Sequence, residues 1–321
     1  MKRKVVYGVL LTLFLSNMLV LAPSNEESEG VHWSTLPIKQ GMGILSKAPL
    51  MEWNKTYSGG SAHSVQQTND GGYVFAGGKN SDLWLVKTDA NGNVKWSKTY
   101  GGTGFDTAYS VQQTTDEGYI VAGRICTDPF IAQPYDGWLV KTDSNGNMEW
   151  NRTYGRDEWG KDHDDWISWV QQTSDGGYIF VGTKSAFIPM DQVWLVKTDA
   201  NGTIQWEKTF GGSGWNDFGT FVQQTSDGGF IVAGYTQYSF DMSWDFWLIK
   251  TNENGTMEWN KTFGGSDWDA AYSVQQTMDE GFIIAGYTRS FGAEEPSDAW
   301  LIKTDAYGNM IWNKTYSGGG G

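Results

Sequence analysis

Residues 156–169, R-D-E-W-G-K-D-H-D-D-W-I-S-W, set Asp157, Glu158, Asp162, His163, Asp164 and Asp165 among Trp159, Trp166 and Trp169. Carboxylates beside an imidazole can ligate a metal ion or exchange protons with a substrate. Exposed indoles can stack on the apolar faces of sugar rings. A solvated acidic loop is the plainer reading of the same residues. Trp215 and Trp268 recur at similar loop positions, so the ligand-binding set expected from this pattern is Trp159, Asp162, His163, Asp164, Trp166, Trp215 and Trp268.

A second set is spaced more regularly. Asp106, Asp165, Asp217 and Asp269 each stand five residues before the valine of a V-Q-Q-T motif. Ringed around a channel mouth they would attract a hard cation, with Ca2+ the natural choice. As repeated caps they would instead bond to neighbouring backbone, and their repetition favours that reading. Asp82, Asp136, Asp245 and Asp298 invite it more strongly still. No cofactor is identified and no catalytic residue is assigned: phosphate loops, H-E-x-x-H, G-x-S-x-G and paired-Cys motifs are absent.

These residues sit in a scaffold written five times. V-Q-Q-T recurs at Val65, Val111, Val170, Val222 and Val274; W-L-[VI]-K-T at Trp84, Trp138, Trp194, Trp247 and Trp300; W-x-[KR]-T-[YF] at Trp96, Trp150, Trp206, Trp259 and Trp312. A period of about 50 residues signals an array or a propeller. Each unit parses into four short strands: a (S-V-Q-Q-T), b ([YF]-[IV]-x-x-G), c (W-L-[VI]-K-T) and d (W-x-[KR]-T-[YF]). Hairpin turns S-D-G-G and D-x-N-G join a to b and c to d. The spacing predicts an all-β fold, a β-propeller of about five four-stranded antiparallel blades. Eleven of the 18 Trp, counting Trp53, occupy the two repeat positions and are assigned to blade packing. One further d-type segment, Trp53 to Tyr57, precedes the five sets and leaves one outer strand unmatched. An unmatched strand is an edge through which copies could self-associate.

The a–b and c–d turns are short and nearly uniform, whereas the d–a and b–c connections on the opposite face differ from blade to blade. Variation confined to one face is where function is expected. Blade one has the shortest d–a and b–c connections, which makes that face lopsided.

The N-terminus carries Lys2, Arg3 and Lys4, then an apolar run from Val5 to Ala22. That layout reads as a signal peptide over 1–22, with an N-terminal anchor as the alternative; 23–50 is a linker and 51–321 the propeller. Either reading makes the protein secreted or cell-surface. The single Cys126 excludes a disulfide framework. A net charge of −14 disfavours nucleic acid and direct adsorption on anionic membranes. Six N-x-T triplets could accept glycans, at Asn54, Asn151, Asn201, Asn254, Asn260 and Asn313. Four of them share one repeat position, so strand duplication accounts for their number.

The run W-N-K-T-[FY]-G-G-S…S-V-Q-Q-T-x-D-x-G-[FY]-I-[IV]-A-G-Y-T…W-L-I-K-T-D-x-x-G-N is clearest from Trp259 to Asn309. It resembles the repeat of a family of secreted or surface propeller-like proteins of archaea and some bacteria. The resemblance covers Trp53 to Tyr316. It implies a surface protein and transfers no site residues. The leading expectation is an extracellular recognition or adhesion module binding glycan, surface protein or cation through the variable face. The alternatives are a secreted polysaccharide hydrolase using loop carboxylates and a structural surface-layer component.

Overall fold

The structure is a computed structural model that describes residues 53–102, 104–126, 135–155, 164–185, 191–211, 215–237, 243–292 and 297–317. The signal-peptide and linker segments, and loop residues Trp159, Asp162 and His163, lie outside the described residues. The chain divides into two units, Met1–Thr56 and Tyr57–Gly321. Residues 53–56 of the first carry no regular secondary structure.

The second unit holds twenty strands in five four-stranded antiparallel sheets, each in the order a-b-c-d. Every sheet is one sequence repeat. In blade three, for instance, the strands are Trp166–Gln172, Tyr178–Lys184, Gln192–Thr198 and Ile204–Phe210. Strand a of each blade lies beside strand a of the next, so the a strands form the inner wall and the d strands the rim.

The repeated residues have identifiable work. In the a–b turn the aspartate accepts from its own Thr hydroxyl and Gly amide, and takes the lysine of W-L-[VI]-K-T: Lys197 Nζ lies 2.8 Å from Asp175 Oδ2. The ammonium also donates to the Thr198 carbonyl at 2.9 Å, and such partners are what permit a lysine to be 5% exposed. In the c–d turn Asp199 Oδ1 accepts the Asn201 and Thr203 amides, both at 2.8 Å, which is hairpin-turn chemistry. The buried c-strand indoles donate to strand d: Trp138 to Asn151, Trp247 to Asn260 and Trp300 to Asn313. Three asparagines of N-x-T triplets thus have a structural role that every copy of the strand inherits.

The Q-Q pair is the clasp between blades. Its first Gln accepts, through Oε1, the amide of the second Gln one blade on: Gln66 from Gln113 at 2.6 Å, Gln112 from Gln172 at 2.6 Å, Gln171 from Gln224 at 2.7 Å and Gln223 from Gln276 at 2.8 Å. Apolar clusters fill the same junctions; one joins Ile179, Leu195 and Phe210 of blade three to Val222, Phe230 and Trp247 of blade four. Each fully buried side chain of this kind contributes about 1.5–3 kcal/mol.

The same positions expose themselves where the array ends. Among the described residues blade five does not pack on blade one as each blade packs on its successor. Leu195 is fully buried but Leu301, its counterpart in blade five, is half-buried, and Tyr316 and Trp312 are 51% and 40% exposed.

The pairing of the last strand identifies which d-type segment is unmatched. Met310–Tyr316 pairs with Asp298–Thr304 and completes blade five, so Trp53–Tyr57 is the surplus segment. It forms no strand. Tyr57 nevertheless donates its hydroxyl to Gly92 O at 2.8 Å, the contact that Tyr100 makes to Gly146 at 2.6 Å and Tyr154 to Gly202 at 2.7 Å. The aromatic anchor of a d strand is kept although the ladder is not.

Candidate functional site

Two positions inside the copied strands vary between the blades, each with four residue types over the five copies, and the fold brings them together. The first is a β-bulge in strand a. Pairing with strand b slips by one residue at His63, Tyr109, Ser168, Thr220 and Tyr272. Opposite the bulge strand b always has glycine. A Cβ on Gly182 would meet Trp166 O at 1.9 Å, and one on Gly123 would meet Thr107 O at the same distance. Bulges re-aim side chains and favour the edges of functional sites. The second position follows that glycine: Gly78, Arg124, Thr183, Tyr235 and Tyr287. Both lie at the variable-face end of the blade.

Between blades one and two these positions line a cavity of about 350 Å³, bordered by His63, Lys79, Phe105, Asp106, Tyr109 and Arg124. Blade one makes room for it. Its b–c connection is only Asn80–Ser81, both with positive φ (51° and 72°), the hairpin turn that suits a two-residue loop. His63 stacks on Tyr109 with centroids 5.7 Å apart, and its Nδ1 donates to Ala108 O at 2.8 Å. Arg124 lies over Tyr135, its Cζ 4.0 Å from the ring centroid, and 5.9 Å from that of Tyr109. Its Nε is buried without a hydrogen-bond partner.

Aromatic side chains continue along this face through blades three to five. Trp166 stacks on Phe218 at 6.0 Å, Phe218 meets Tyr235 at 5.0 Å and Trp244 at 5.4 Å, and Tyr272 meets Tyr287 at 5.9 Å. Burial pushes the Tyr235 hydroxyl well above its usual range. Trp268 is 42% exposed, with Arg289 Cζ 5.3 Å from its ring centroid.

The sequence-derived site residues divide accordingly. Trp166 and Trp268 stand in the aromatic band, and Trp215 is half-buried. Asp164 accepts the Tyr135 amide at 3.2 Å, a structural bond. Asp106, Asp165, Asp217 and Asp269 follow the capping reading and not the cation ring: all four are buried and serve their own blades. Asp106 accepts the amides of Cys126 (2.8 Å) and Gly102 (2.9 Å). Asp165 accepts that of Ser185 (2.7 Å), Asp217 the Thr236 hydroxyl, and Asp269 the amides of Gly265 and Arg289. Among the described residues no three His, Cys, Asp or Glu side chains converge as a metal site. Burial, with the charges of Asp136 and Asp164 adding, raises the Asp165 carboxyl to about 7.

Arg124, Tyr109, His63 and Tyr135 were absent from the sequence-derived set. The acidic residues and tryptophans of the longest loop carry the more conspicuous sequence pattern. The available signal was the pair of strand positions that vary between repeats that are otherwise copies, next to the one blade with shortened loops.

No family model matches the chain, and no curated protein does. Among solved structures it is similar to a protein of unknown function from Dyadobacter fermentans DSM 18053, at 13% identity and a TM-score of 0.56, over 83% of this chain and 85% of that one. It also resembles an ancestral GH74 enzyme (10% identity, TM-score 0.46, 79% of this chain and 32% of that one). A further likeness is to an endo-arabinase from Bacteroides thetaiotaomicron VPI-5482 (11%, 0.41, 76% and 92%). The first likeness supports the fold; the other two are too distant to bear on function.

Proposed function

We propose that this protein is an extracellular or cell-surface recognition module that binds glycan through its variable face. The carrying observation is the cavity and aromatic band on that face, built from positions that change between repeats whose other residues are fixed. Flat aromatic rings beside a few fixed polar groups suit the alternating apolar and hydroxylated faces of sugars. Binding is favoured over hydrolysis, because Asp106, the carboxylate lining the cavity among the described residues, is already engaged by two backbone amides. Retention on a glycan array tests the reading. Tyr109→Ala and Trp166→Ala should each reduce retention severalfold, and unchanged retention of both variants would refute it.

A second reading, self-association, is favoured by the open ends. Blade five presents Ile283, Leu301 and Tyr316, and blade one presents Ala62 and Val65; these are the two halves of a junction formed four times within the chain. A second copy entering head-to-tail with its own blade one fits that surface. Sedimentation should then show concentration-dependent association that Leu301→Glu abolishes, and a monomer at every concentration would rule it out.

A further inference from the structure

We infer that the cavity between blades one and two takes the carboxylate-bearing sugar of an acidic glycan, a hexuronic acid residue, with Arg124 as the partner of the carboxylate. The inference rests on the glycan-binding reading above and specifies its ligand.

Arg124 is an unusual arginine for a chain of net charge −14. Carboxylates are plentiful, yet among the described residues its guanidinium forms no ion pair and no side-chain hydrogen bond. It is held instead by rings, 4.0 Å from Tyr135 and 5.9 Å from Tyr109. The rings hold the guanidinium in place while its buried Nε–H has no acceptor. A buried donor without an acceptor costs about 1–3 kcal/mol, and a planar two-oxygen anion relieves that cost best, through paired N–H···O bonds.

The surroundings select the rest of the ligand. Lys79 brings a second positive charge to the same cavity, its Nζ 4.8 Å from the Trp84 ring centroid. Asp106 is the carboxylate of the lining, and both its oxygens are taken by backbone amides. The lining thus carries two cations, Lys79 and Arg124, against one carboxylate, Asp106. Phe105, 58% exposed, and Tyr109 offer apolar faces to a pyranose ring. At about 350 Å³ the space lies at the lower end of small-molecule sites, enough for a sugar residue and part of its neighbour.

Titration calorimetry with the full chain would compare tri-galacturonate with its carboxyl-reduced, neutral counterpart. The acidic probe should bind at least about tenfold more tightly, as expected of a charge-assisted bidentate pair. Arg124→Gln should erase that difference, and Arg124→Lys should restore only part of it. Equal affinity of the wild-type protein for both probes overturns the inference, as does an acid preference that survives Arg124→Gln in a folded variant. Should that variant fail to fold, the wild-type ratio alone decides. No binding of tri-galacturonate by a protein still retained on the glycan array overturns this inference only; loss of all array retention overturns the reading beneath it.

Discussion

Arg124 and Tyr135 lie on adjacent strands of blade two, diagonal across the register that pairs Arg124 with Gly137 and Cys126 with Tyr135, and the guanidinium carbon is 4.0 Å from the ring centroid. Long side chains reach such diagonal neighbours. The ring keeps the charge over the cavity without neutralising it. A carboxylate in place of Tyr135 would have neutralised it.

Removing the ring should therefore weaken binding without removing the charge. Tyr135→Leu is expected to lower affinity for the acidic probe about two- to fivefold, the worth of roughly 0.5–1 kcal/mol of cation–π attraction. Calorimetry beside a melting curve separates this from a loss of folding. Undiminished affinity would mean that the guanidinium is positioned by something else.

The hydroxyl links between blades make a second prediction, with a control inside the chain. Tyr100 and Tyr154 donate to the turn carbonyls of Gly146 and Gly202, whereas blades three and four end in Phe210 and Phe263. Tyr100→Phe and Tyr154→Phe should each cost about 1–2 kcal/mol, since a buried acceptor loses its donor. The two costs should add, because the sites lie in different junctions. Phe210→Tyr should give back a smaller amount. Denaturant melts of the single and double variants test all three.

Asp165 sets a pH dependence whose sign is opposite to that of the turn aspartates. Its carboxyl is raised to about 7, first by burial, so the folded state holds a proton that the unfolded chain releases near pH 4. Its contribution is full below that pH and is lost as pH rises through 7. Asp175 and Asp227 are lowered to about 2; burial opposes that shift, but hydrogen bonds from Lys197 and Lys250 and from their turn residues outweigh it. Their contribution is present above about pH 4 and is lost as pH falls towards 2. Stability should peak in mildly acidic solution. Asp165→Asn retains an acceptor for the Ser185 amide and should flatten the decline between pH 5 and 8, which pH-resolved thermal melts would register. A variant with an unchanged slope would assign the decline to other groups.

Much of this architecture was legible in the repeat. Near-continuous apolar runs in strands b and c, the glycine-bearing turns and the five copies specify four-stranded blades, because each requirement is local and recurs on schedule. The c-strand tryptophans were readable as core for the same reason. Legibility failed where the partner of a residue lies outside its own repeat. The Q-Q pair looks like part of a strand until the next blade is set beside it. Trp53–Tyr57 has a strand's residues, yet residues 53–57 form no strand.

The sequence by itself determined the blades, their turns and the face on which variation collects, since these follow from a repeat of about 50 residues, from apolar strand runs and from glycine at fixed points. Only the tertiary structure decided which varying residues meet. Arg124 and Tyr109 share a cavity with His63, and Tyr135 backs the guanidinium, because two blades pack side by side and a bulge turns one side chain of each towards the junction. That encounter depends on distances between repeats, about which the order of residues within a repeat is silent.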